Sequence, residues 1–164
     1  MHRNEVSITR FYTAFGQLEA DKMASCYADE VVFNDEAFSL QGKAQVMGMW
    51  NMLLDATRAK GMDAWKLEFS DVAADDLGGK AHWDAHYRFS ATGRMVLNRI
   101  DAKFVFNKKG LIVAHTDRFN FWSWSHQALG APGLLLGWSP FLRKKVRAQA
   151  ASNLQKYLAS RSKA

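Results

Sequence analysis

The stretch FNDEAF, residues 33–38, sets two adjacent carboxylates, Asp35 and Glu36, between two phenylalanines where an apolar strand ought to continue. Proton transfer next to a carbonyl needs a base of raised pKa in apolar surroundings and a donor aimed at the oxygen that gains charge. Asp35 has the type and setting of such a base, and Tyr12, Asn98 and His115 are donors of the required kind. The competing reading is structural: an aspartate ends a strand by accepting hydrogen bonds from backbone amides of the following turn. Both readings stay open at this level.

Two further groups carry chemistry. His115 and Asp117 alternate with Phe119 and Phe121, so they share one face of a strand, where a carboxylate can orient an imidazole. They form either a second acid/base unit or a satisfied interior histidine with its aspartate paired to Arg118 or Arg88. His82, Asp84 and His86 give H-x-D-x-H on one strand face. Same-face residues lie about 7 Å apart, so three from one flat strand rarely meet at one ion. The alternate set Trp83, Ala85, Tyr87 and Phe89 reads as the core face, which turns the histidines outward. No metal and no cofactor are expected. Asn98 interrupts an apolar strand face and is either a core amide bonded to a helix end or a ligand-orienting group.

The elements that must position these residues follow from periodicity. Residues 4–18 carry apolar side chains at helical spacing, a short helix covers Met23 to Tyr27 after Asp21, and residues 31–33 read as a strand. A third helix opens at LQGKAQ and ends at Gly61. Alternating segments then run from Ala64 to Ala73, Ala81 to Ser90, Met95 to Asn107 and Leu111 to Trp124, separated by DDLGGK, ATGR and KKG. Three such turns predict an antiparallel meander. The expected class is α+β, a curved antiparallel sheet packed against N-terminal helices, with an extra C-terminal helix.

With 164 residues and 48% hydrophobic composition, the chain fits one core. The formal charge is +6, yet seven bases and no acid lie from Arg143 onward, leaving −1 for residues 1–142. Only Tyr157 interleaves an aromatic with those bases, so nucleic acid is not the expected partner. Cys26 is the single cysteine and reads as a buried filler. With no apolar leader and no membrane-length apolar run, the expected location is cytoplasmic.

The order of elements, with FYTAF, MASCYADEVVFND and GLIVAHTDRFNF, resembles the nuclear transport factor 2-like superfamily over roughly residues 4–124, most of all its ketosteroid isomerase and SnoaL-like branch. The resemblance implies a cone whose sheet and helices enclose one apolar pocket, commonly dimerised through the sheet. It puts Asp35 in the place of the isomerases' general base, with Glu36 where their motif has proline. The isomerases' second acid has its counterpart at Asp101, which strand parity turns outward with Arg99 and Lys103. A weaker match, to limonene epoxide hydrolase-like enzymes, puts Asp117 at the end of the last strand and has only His86 and Arg88 for their arginine and aspartate pair.

The expected organisation is therefore a cone domain over residues 1–124, with residues 125–164 as a lid segment and a basic amphipathic helix on the same domain. Leu134, Leu135, Leu136 and Trp138 are expected to cover the pocket mouth; a membrane-surface contact by the basic tail is the less favoured reading. Catalytic candidates are Asp35, His115 and Asp117, and Tyr12, Trp50, Trp83, Tyr87, Asn98 and Phe119 are the ligand-lining candidates. The expected partners are a small apolar molecule and a second copy of the chain. The activities implied are isomerase, cyclase or hydratase-type proton transfer, a non-catalytic binding or dimerisation module, or epoxide hydrolysis through Asp117.

Overall fold

The computed structural model describes residues 1–163. Helices α1 (Arg3–Gly16) and α2 (Ala20–Ala24) precede strands β1 (Tyr27–Asn34) and β2 (Ser39–Gln41), and α3 (Lys43–Lys60) follows. The meander is β3 (Lys66–Ala74), β4 (Gly78–Arg88), β5 (Met95–Phe106) and β6 (Ile112–Arg118), and the chain closes with α4 (Phe121–Leu129), α5 (Ala131–Leu136) and α6 (Pro140–Ser162). The architecture is the expected α+β one, with helices packed on a single sheet.

The strand order is β2-β1-β6-β5-β4-β3. All neighbours are antiparallel except β1 and β6, which run parallel. The sheet is thus mixed. Sequence turns reveal only consecutive pairs; the β1–β6 pairing joins strands separated by α3 and most of the meander, and no local signal marks it. It sets Phe33 beside His115 and Asn34 beside Thr116, which brings the FNDEAF turn to the end of β6.

Alternation decides what faces inward. On β5, Val96, Asn98, Ile100, Ala102, Phe104 and Phe106 are buried while Arg99, Asp101 and Lys103 are exposed. The main core joins α1 to this face through Phe11, Tyr12 and Phe15, and adds Trp50 of α3 and Leu154 of α6. A smaller core of Val96, Phe121, Trp124 and Ala128 lies under α4, and Tyr87 and Phe119 pack against both. Cys26 is buried and free.

Three local expectations are corrected. Helix α2 ends at Ala24 and β1 already starts at Tyr27, because the tyrosine points into the core. The last strand stops at Arg118, since the Asn120 side chain accepts from the Ser123 amide and starts α4 as its N-cap. The lid is also corrected. Gly133 and Gly137 form the inward side of the α5 corner: a Cβ on Gly133 would lie 1.9 Å from the Ser125 carbonyl oxygen, and one on Gly137 2.2 Å from its Oγ. Backbone approach this close requires glycine. Leu134, Leu135, Leu136 and Trp138 therefore point to solvent, with Trp138 73% exposed.

Candidate acid-base site

Two groups of polar atoms stand out, one within the aromatic interior and one at the β1–β2 turn. The first begins at Trp50, whose Nε1–H donates to the Tyr27 hydroxyl at 3.0 Å. The Tyr27 oxygen lies 2.7 Å from His115 Nδ1, and His115 Nε2 lies 2.9 Å from Asp117 Oδ1. Trp83 Nε1–H also donates to Asp117 Oδ1, at 3.4 Å. Proton directions follow: the Asp117 carboxylate only accepts, so Nε2 carries the imidazole hydrogen and Nδ1 accepts from Tyr27. All of these groups are buried, His115 fully so. Burial holds the Tyr27 phenol well above its ordinary pKa, so it keeps the proton this scheme assigns to it.

Asp117 uses one oxygen for both donors, and its other oxygen has no hydrogen bond among the described residues. Tyr12 is fully buried and its hydroxyl has no partner within the described residues. Burial, with the Asp117 charge as a lesser cause, pushes the Tyr12 phenol far up. An unpaired buried hydroxyl costs about 1–3 kcal/mol.

The second group is centred on Asp35. Its Oδ1 accepts from the Ala37 amide at 2.7 Å and the Phe38 amide at 2.6 Å, and its own amide donates to the Phe38 carbonyl at 2.9 Å. The structural reading of Asp35 is thus correct: it closes the β1–β2 turn. The turn leaves Oδ2 without a hydrogen bond. Burial pushes this carboxyl up to about 7, the two amides oppose it, and the Asp117 charge adds to the rise. By surface area the residue as a whole is half-buried. Tyr87 feels the Asp35 charge, is pushed up to about 12 chiefly by burial, and accepts from Trp124 Nε1–H at 2.7 Å, so its own hydroxyl hydrogen remains free to donate.

Helix α6 holds this turn from outside. Arg147 Nη1 donates to the carbonyls of Asp35 and Glu36 at 3.2 and 3.0 Å, and Arg143 pairs with the Glu36 carboxylate while lying 5.0 Å over the Phe121 ring. Two arginines from a remote helix thus restrain a turn that lacks the stiffening proline of the isomerase motif. This contact was not foreseen: the bases were visible in the sequence, and their partner more than a hundred residues away was not.

The expected site residues therefore separate. His115, Asp117, Tyr12, Trp50 and Trp83 come together in the main core, and Tyr87 and Phe119 pack against it and against the smaller core under α4. Asn98 does not join them; it lines an open notch with Asn120, Ser123 and Gln127, where Gln127 bonds the Leu97 backbone. The rings expected to line one open pocket pack against one another, with Trp50 4.9 Å from Phe15 and Tyr12 5.7 Å from Trp83 between centroids. Tyr27 and Trp124 carry roles that the sequence reading missed, and their only signal was an aromatic at an inward position.

Outward residues stay outward. His82 bonds Asp101 at 2.8 Å and Asp84 at 3.1 Å on the outer face, where the Asp101 side chain is 82% exposed. Arg88 donates to Asp63 and to the Gly93 carbonyl, so it does not serve Asp117.

A model of the SnoaL-like domain family matches residues 8–115. No curated protein matches the chain. Among solved structures, a candidate polyketide cyclase from Xanthomonas campestris is 20% identical with a TM-score of 0.59, covering 76% of this chain and 96% of its own. An LEH-like epoxide hydrolase from M. tuberculosis is 15% identical with a TM-score of 0.61, covering 81% of this chain and 92% of that one. A Catenulispora acidiphila protein with a ketosteroid isomerase-like fold, in complex with trimethylamine, is 13% identical with a TM-score of 0.61, covering 82% of this chain and 97% of that one. At such identities the likeness concerns the fold. With about two thirds of its length matched by the family model, the chain belongs to the SnoaL-like domain family.

Proposed function

We propose that the protein is a cofactor-independent acid/base catalyst for a small apolar molecule with a carbonyl handle, of isomerase, cyclase or hydratase type, with Asp35 as the base. The observation that carries this reading is the Asp35 carboxyl: one oxygen fixed by two amides, the other without a hydrogen bond, and a pKa pushed up to about 7. A base titrating at the working pH combines a useful ionised fraction with the ability to hold the proton it takes. On a β,γ-unsaturated ketone Asp35 Oδ2 takes a proton from the carbon between the carbonyl and the double bond and the electron pair moves onto the carbonyl oxygen as a dienolate; the oxyanion then re-forms the carbonyl, the double bond moves into conjugation, and the far carbon of the former double bond takes the proton back from Asp35. Tyr87, pushed up to about 12, stays protonated and supplies a hydrogen bond to the developing oxyanion.

His115 and Asp117 have a different part. Both imidazole nitrogens are already bonded, so the pair holds Tyr27, Trp50 and Trp83 in register and keeps a negative charge near Asp35. Epoxide hydrolysis through Asp117 loses its arginine, because Arg88 is bound to Asp63.

Two readouts test the proposal. A β,γ-unsaturated ketone followed by the absorbance of its conjugated product reports turnover, and quenching of tryptophan fluorescence by 2-naphthol reports binding of an enolate-like phenol. Wild type is expected to do both, and Asp35→Asn to keep naphthol binding while losing turnover by about 10²–10⁴-fold. Naphthol binding without turnover would mark a binding module; neither readout would remove the site.

A further inference from the structure

The outward turn of α5 leaves a concentrated apolar surface. Leu135 is 68% exposed, Trp138 73% and Phe141 69%, and Leu134, Leu136 and Trp122 lie beside them at between 44% and 49%. Isolated exposed apolar side chains need no explanation, but six on one corner do. The indoles add no polar edge: Trp122 Nε1–H donates to the Leu134 carbonyl at 3.0 Å and Trp138 Nε1–H to the Leu135 carbonyl at 2.9 Å. Ser139 caps α6 and Pro140 opens it, which fixes Phe141 at the tip of this corner.

The unpaired charge flanking the patch on α6 is cationic. Lys144 and Lys145 stand three and four residues after Phe141, on the same face of α6, and both are exposed with no ion pair among the described residues. No Asp or Glu follows Asp117 in the chain. A surface that is apolar at its centre and only cationic at its flank complements a layer with anionic groups above hydrocarbon. A second copy brings no carboxylate from the same segment to meet Lys144 and Lys145, since no Asp or Glu follows Asp117.

We infer that the α5–α6 corner docks on an anionic lipid surface, with Leu135, Trp138 and Phe141 entering the headgroup boundary and Lys144 and Lys145 meeting lipid phosphates. No helix among the described residues is long and apolar enough to cross a membrane, so the contact is a peripheral one. It leaves Arg143 and Arg147 on the Asp35 turn, and it does not depend on what the interior site does.

The full chain is sedimented with phosphatidylcholine vesicles with and without phosphatidylserine, at low and at physiological salt. It is expected to partition onto the phosphatidylserine vesicles, with a blue shift of tryptophan emission and weaker binding at higher salt. Lys144→Glu with Lys145→Glu should lower that partition roughly thirtyfold or more. Trp138→Ser with Phe141→Ser should remove the blue shift, and circular dichroism checks that both variants stay folded. Wild type remaining in the supernatant, equal binding to neutral vesicles, or unchanged binding by the lysine variant would each overturn the inference. So would a concentration-dependent dimer that Trp138→Ser dissolves, since a second copy would then own the patch.

Discussion

The two oxygens of the Asp35 carboxyl have different surroundings: Oδ1 ties the turn through the Ala37 and Phe38 amides, while Oδ2 has no hydrogen bond among the described residues. The folded-state pKa lies near 7, above the ordinary value of 3.8, so the folded protein holds the proton more tightly than the unfolded chain. Stability from this group is then full below about pH 4 and is lost as pH rises through about 7. Asp35→Asn keeps an oxygen for both amides and removes the ionisation; it should be more stable than wild type at pH 8 and lack the decline between pH 4 and 7. Asp35→Ala loses both amide bonds and should fall about 1–2 kcal/mol below Asp35→Asn at every pH, as thermal melts at several pH values would show. Equal melting of the two variants would remove the turn-fixing role of Oδ1. At this scale the sequence was legible in parity: the inward His115 and Asp117 and the outward His82 and Asp101 follow from strand alternation alone. Hydrogen-bond partners were not legible, because Tyr27 and His115 are 88 residues apart and meet only through the parallel β1–β6 pairing.

Elements explain why the glycine-rich segment misled. Its leucines were the visible signal, and an apolar run reads as buried; Gly133 and Gly137 decide which side faces inward by letting α5 press its backbone onto Ser125. Gly133→Ala should therefore cost about 1–3 kcal/mol by overpacking, whereas Leu135→Ser, at a side chain 68% exposed, should stay within about 0.5 kcal/mol. Denaturant titrations distinguish the two, and the reverse order would restore the buried-lid arrangement. The helix after this corner was legible as amphipathic and basic, and Leu142 and Leu154 do anchor it. Its task on the Asp35 turn was not, because an arginine reaching a backbone carbonyl leaves no pattern in sequence.

The whole molecule sets the chemistry of the site. β1 supplies the turn, β6 supplies the Asp117 charge, β4 supplies Tyr87, and α6 lays Arg147 across the turn, where its positive charge partly offsets the rise in the Asp35 pKa. No one segment carries the site, which is why composition and motif pointed to the α+β class and to Asp35 while the arrangement around it appeared only with the fold. We propose that this assembled setting makes Asp35 a proton-exchanging group open to a ligand. Carboxyl ¹³C NMR of the protein, with the Asp35 resonance assigned by its absence in Asp35→Asn and followed against pH with and without 2-naphthol, measures that claim directly. A midpoint near 7 that moves when the phenol binds is the predicted result; a midpoint in the ordinary carboxylate range near 4, unmoved by the phenol, would contradict it.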